Sequence, residues 1–208
     1  MKKILCINIF LILLSINAFG QLGLRFGINS AEQVRKFVET PSSFTADKLT
    51  SFQAGVVWQS QFRNSGFATE IGAIYSQKGS YYNYTNAAGS EVVAIDELNY
   101  VEIPLNIRFT LLKRLPFNIY GAAGVYFAYL LDGKTTDENS KTSAKMTFAR
   151  YADRLDMGVS TGAGVQLFNK IQLGATWSWG MRNTSHSTAD IIKSFKNKNI
   201  SINLTYIF

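Results

Sequence analysis

The stretch Gln21-Leu22-Gly23-Leu24-Arg25-Phe26-Gly27-Ile28-Asn29-Ser30 decides the fold. Leu22, Leu24, Phe26 and Ile28 share one parity, and Gly23, Arg25, Gly27 and Asn29 share the other. A strand turns successive side chains to opposite faces, so this segment has one apolar face and one polar, glycine-rich face. The pattern recurs over residues 52–62, 67–75, 101–109, 117–129, 156–167, 171–181 and 200–208. In each, Phe, Ile, Leu, Val, Tyr or Trp alternate with Gly, Ser, Thr, Gln, Asn and a few charges. Pro104 interrupts one segment without changing its parity, which marks a local break in a strand that continues.

A soluble sandwich also alternates. Three features favour a membrane barrel instead. Tight connections at 63–66, 113–116 and 169–170 alternate with long ones near 30–51, 83–97, 132–154 and 182–198. Outer-membrane barrels separate short turns from long loops in this way. Most segments are near or above the ~10 residues that cross a bilayer as a tilted strand, whereas strands of soluble sheets average about 5–6. Aromatics also band at two levels. Phe62, Phe67, Phe109, Phe117, Phe168 and Phe208 sit by the tight turns, and Tyr75, Tyr81, Tyr82, Tyr129, Trp177 and Trp179 sit toward the long connections. These are the expected interfacial girdles. Closure follows because an open sheet edge in lipid would leave backbone groups unpaired. The expected fold is all-β: an eight-stranded antiparallel up-and-down transmembrane β-barrel.

Only 17% of the 208 residues are charged, against about 25% in typical soluble domains. Met1-Lys2-Lys3, the apolar run over residues 4–16 and Ala18-Phe19-Gly20 read as an N-terminal signal peptide over residues 1–20, cleaved before Gln21. Residues 21–208 then form the barrel domain. The one cysteine, Cys6, lies in the leader, so the expected mature chain is held together without disulfides. Its modest basic excess and export argue against a nucleic-acid partner.

Catalytic chemistry finds little support. The one histidine, His186, is flanked by Ser185 and Ser187 in a connection, without a positioned base and orienter. A zinc set lacks ligands, and Gly162-Ala163-Gly164 lies mid-strand with no helix behind it, unlike a nucleotide loop. No enzyme activity, metal or cofactor is expected.

The candidate sites are therefore charge clusters. Inward parity collects Arg25, Glu70, Glu102, Arg108 and Asp156 into a lumen network, with Glu70 and Glu102 expected in salt-bridge reach of Arg25 or Arg108. Small inward residues Gly158, Gly162, Gly164 and Gly174 leave room for Tyr120 or Tyr126. Lys193, Lys196 and Lys198 form a cationic loop suited to lipopolysaccharide phosphates.

Five pieces in order resemble the PorT-like branch of the porin-family outer-membrane β-barrel proteins. They are Leu24-Arg25-Phe26-Gly27-Ile28-Asn29, Tyr75-Ser76-Gln77-Lys78-Gly79, Tyr100-Val101-Glu102-Ile103-Pro104-Leu105, Gly162-Ala163-Gly164-Val165 and the terminal Tyr206-Ile207-Phe208. The resemblance implies an eight-stranded barrel in the outer membrane of a Gram-negative cell. It also implies that Tyr206 and Phe208 belong to a C-terminal signal read by the barrel-assembly machinery. It implies no single activity. The expected role is an envelope scaffold or a loop-mediated binder, with outer-membrane lipid, lipopolysaccharide and an envelope protein as partners. The alternatives are a narrow channel for ions or small solutes and an accessory component of protein secretion.

Overall fold

The computed structural model describes residues 20–37, 45–62, 65–85, 91–114, 116–138, 140–146, 154–182 and 192–208. The expected signal peptide, apart from Gly20, and His186 lie outside the described residues. The strands are β1 (Gly20–Phe37), β2 (Thr45–Gln61), β3 (Phe67–Thr85), β4 (Glu91–Arg114), β5 (Phe117–Asp137), β6 (Thr142–Lys145), β7 (Leu155–Leu167), β8 (Ile171–Gly180) and β9 (Ile192–Ile207). Each pairs antiparallel with its neighbour in the order β4-β3-β2-β1-β9-β8-β7-β5, and a β4–β5 ladder closes the ring of eight. The ninth, β6, pairs only with the end of β5, Lys134 opposite Lys145 through Asp137 opposite Thr142. It extends the wall rather than adding to the ring.

The up-and-down antiparallel order is the expected one, but much of the long connections is strand. The β3–β4 ladder runs out to Thr85 opposite Glu91, and the β1–β9 ladder to Phe37 opposite Ile192. Most of the supposed connection at 83–97 is thus wall. The physical reason is that a wall standing in water needs no apolar outer face. Gln77-Lys78-Gly79-Ser80 and Lys196-Asn197-Lys198-Asn199 therefore carry no hydropathy alternation although they are strand.

The alternation itself produces an inverted protein. Outward residues such as Phe26 at 59% and Ile28 at 62% exposure stand open, while Asn29, Glu70, Lys78, Asp156 and Gln172 are buried. Soluble proteins distribute these residue types the other way. Full burial of one such apolar side chain is worth about 1.5–3 kcal/mol, so an apolar solvent around the ring gains many such terms.

Local chemistry sets the details. At Pro104, which has no N–H to give, the ladder to β3 lapses between Ile71–Leu105 and Ile74–Glu102 and resumes in register. Pro104 still stands opposite Tyr126 of β5. Leu167-Phe168-Asn169-Lys170 is a two-residue hairpin, with φ of 51° at Phe168 and 58° at Asn169. Lys170 N–H donates to the Leu167 carbonyl at 2.9 Å. Positive φ at both central residues is the twist that antiparallel strands favour. The first and last strands complete the wall, and Phe208 N–H donates to the Leu22 carbonyl at 2.9 Å.

Candidate functional site in the lumen

The inward side chains form layers from the tight-turn end to the opposite end. The lowest layer is a ring of amides. Above it Glu70, from β3, is the hub of an ion-paired partition. Arg25 from β1 grips it with two bonds, Nη1 to Oε1 at 3.0 Å and Nη2 to Oε2 at 2.8 Å. Gln59 Nε2 adds a bond at 2.7 Å, Asn106 Nδ2 one at 3.1 Å and Arg108 Nη1 one at 3.4 Å. Arg25 Nε also donates to Thr205 Oγ1 at 2.9 Å, tying β1 to β9. Arg108 Nη1 donates to Gln172 Oε1 at 2.8 Å, and the Gln59 and Gln172 amides exchange bonds at 3.0 and 2.9 Å. The guanidinium of Arg108 lies 3.9 Å over the Tyr120 ring. An isolated buried carboxylate would cost several kcal/mol, and this donor set is what allows Glu70 to sit at 4% exposure.

A polar middle layer follows. Asn29 Nδ2 donates to Ser76 Oγ at 3.2 Å and to the Gln77 carbonyl at 2.9 Å. Gln53 Nε2 donates to Asn203 Oδ1, and Ser160 Oγ donates to Asn106 Oδ1 at 3.2 Å. A cavity of about 50 Å³ remains between these layers, room for very few waters.

The third layer corrects an expectation. Glu102 pairs with neither arginine; its partner is Lys78, at 2.6 Å. The two belong to adjacent strands, Lys78 opposite Leu98 and Glu102 opposite Ile74, and the long lysine side chain spans that offset, whereas Arg25 and Arg108 are already engaged by Glu70. Lys78 Nζ also lies 4.7 Å from the Tyr126 ring and 5.4 Å from the Tyr100 ring. Asp156 takes hydrogen bonds from two neutral side chains. Its Oδ2 accepts from Asn197 Nδ2 at 2.9 Å and from Tyr126 Oη at 3.4 Å. Leu98, Tyr100, Tyr126, Ala128 and Leu130 then pack as an apolar cap, with Met146 against it.

Small residues make room for the tyrosines. A Cβ at Gly174 would stand 2.6 Å from the Tyr120 hydroxyl, and one at Gly158 would stand 2.6 Å from Tyr126 Cε1. Inward Lys78, Gln59, Asn106 and Gln172 belong to the network but were not expected as site residues; Lys78 shares the parity of Glu70 on β3, Asn106 that of Arg108 on β4, and Gln59 and Gln172 lie on the polar parity of β2 and β8.

The lysines of the expected cationic loop are on a strand, because β9 begins at Ile192. Lys196 and Lys198 are exposed there, and Lys198 Nζ lies 3.3 Å from Glu32 Oε1. The side chain of Lys193 lies outside the described residues. Tyr206 and Phe208 both face outward, their rings 5.4 Å apart and edge-on.

A closed antiparallel ring, lipophilic outside and polar within, is the design of a membrane β-barrel. The sequence matches the family model "Outer membrane protein beta-barrel domain" over residues 19–186. The chain belongs to that family, and membership implies an outer-membrane location. β9 lies beyond the matched residues and supplies the closing strand. Among solved structures, the chain is similar to the attachment invasion locus protein Ail of Yersinia pestis, at 12% identity and a TM-score of 0.45, covering 91% of this chain and 99% of that one. It is also similar to the outer membrane protein OprG of Pseudomonas aeruginosa, at 14% identity and a TM-score of 0.48, covering 91% and 96%. Neisserial surface protein A gives 10% identity and a TM-score of 0.43, covering 90% and 97%. No curated protein matches the sequence.

Proposed function

We propose that the chain is a non-enzymatic integral barrel of a Gram-negative outer membrane. It serves as an envelope scaffold whose long-connection end binds other molecules. The observation that carries this reading is the pairing of an apolar exterior with an interior closed by ion pairs and an apolar cap. Charge pairing and filling are what so narrow a lumen favours. In this reading the tight turns face the periplasm, and the extended walls of β3, β4 and β5 project outward. Residues 1–20 are the cleaved leader, Tyr206 and Phe208 are read by the barrel-assembly machinery, and the finer assignment is to the PorT-like branch. Lys198, opposite Trp179, and Lys196, with Lys193, meet lipopolysaccharide phosphates at the edge of the tryptophan belt.

Two measurements test the reading. The protein should stay with membranes through alkaline carbonate and leave only with detergent; release without detergent would refute insertion. In planar bilayers the wild-type chain should carry no steady current. Stable conductance would favour the second reading, a narrow ion path. That reading draws support from the cavities of about 50 and about 360 Å³ on the two sides of the Arg–Glu partition.

A further inference from the structure

At the tight-turn end the lumen opens into a basin of about 360 Å³. Gln61, Gln166, Asn118 and Asn169 contribute to its wall, and Arg108 and Tyr120 lie at its inner end. The basin is thus rich in groups that both donate and accept hydrogen bonds. No carboxylate lines it among the described residues.

Two buried groups there retain bonding capacity. Asn118 is 8% exposed, and while its Nδ2 donates to Asn169 Oδ1 at 2.9 Å, its Oδ1 has no hydrogen-bond partner among the described residues. Arg108 is 5% exposed, and its hydrogen bonds to Glu70 and Gln172 both come from Nη1. No hydrogen bond from its other guanidinium nitrogens is formed among the described residues, and the side chain borders the basin. Charge points the same way: Arg25 and Arg108 share the single carboxylate of Glu70, which leaves one surplus positive charge in the partition.

We propose that this basin binds a small monocarboxylate whose other polar groups are hydroxyls or amides. A carboxylate neutralises the surplus charge and fits the planar donor fork of Arg108 with charge-assisted bonds. The ligand's hydroxyls or amide N–H groups are met by Asn118 Oδ1 and the glutamine amides. The volume lies in the range of small-molecule sites. The inference rests on the proposed orientation only in naming the periplasm as the source of the ligand. Binding in micelles does not depend on orientation, so the two fail separately.

The test is calorimetric titration of the full chain, folded in a neutral detergent, with gluconate, N-acetyl-alanine and glucose. At least one carboxylate should bind tenfold or more tightly than glucose. Preference for gluconate identifies a sugar acid, and preference for N-acetyl-alanine identifies a peptide terminus; either supports the site. Arg108→Gln should abolish the preference. Because that change also touches the partition, Gln166→Glu serves as the second variant: it leaves the partition intact, places a negative charge in the wall and should weaken carboxylate binding tenfold or more. Equal binding of glucose and both carboxylates, no binding of any probe, or full affinity in Gln166→Glu would each overturn the proposal.

Discussion

Glu70 concentrates the energetic risk of the lumen in one side chain. Its removal leaves Arg25 and Arg108 buried without a counter-charge. Glu70→Ala should destabilise the folded chain by about 3–5 kcal/mol, measured by urea unfolding in detergent or lipid. A double-mutant cycle with Arg25→Ala should return a coupling of at least about 1 kcal/mol. Tyr120 gives a steric counterpart. Gly174→Ala drives a methyl against the Tyr120 hydroxyl and should cost about 1–3 kcal/mol, most of it recovered by adding Tyr120→Phe. A loss that persists in the double variant would mean that the clash lies elsewhere. Parity was enough to bring Arg25, Glu70, Glu102, Arg108 and Asp156 to one face, because that depends only on neighbours along the chain. Their partners depend on lateral register between strands, and this is why Glu102 meets Lys78 and not an arginine. Lys78 carries a weaker signal because it lies just past Ser76, where outer-face hydropathy ceases to alternate.

The strands differ in what their outer faces meet along their length. On β9, Leu204 stands opposite Leu173 and Phe26, midway between Phe208 and the tryptophan level, and Ile200 stands opposite Trp177. Leu204→Arg should cost about 2–4 kcal/mol in a bilayer, whereas Ile200→Arg should cost only about 0–1 kcal/mol. Equal costs at the two depths would argue against a lipid belt. The membrane-depth part of every strand was legible, since burial on one face and lipid on the other impose a period of two. The extensions of β1, β3, β4 and β9 were not, because with water on one side and polar packing on the other the pattern dissolves into what resembles a loop. The tight turns were legible from their length alone, but the positive φ at Phe168 was not, since a phenylalanine does not advertise that conformation.

At the scale of the whole molecule, the two ends of the ring in chain order meet at the β1–β9 seam, which runs from Gly23 opposite Ile207 to Phe37 opposite Ile192. Cysteines at the directly opposed positions Ile28 and Ile202 should cross-link on oxidation within one chain. The product should resist heat unfolding in gels more than its reduced form. A cross-link formed only between chains would indicate strand exchange in place of a closed ring. The same seam has a kinetic meaning. Arg25 and Thr205, bonded in the partition, are 180 positions apart. Contacts of such span are slow to form, because the intervening chain must be brought to order first. Until the last strand arrives, the first has no neighbour on one side and its lipophilic face has no shelter. A chain delivered from its N-terminus must therefore be kept from aggregating until β9 emerges, so that this one strand, laddered to both β1 and β8, times the entire assembly.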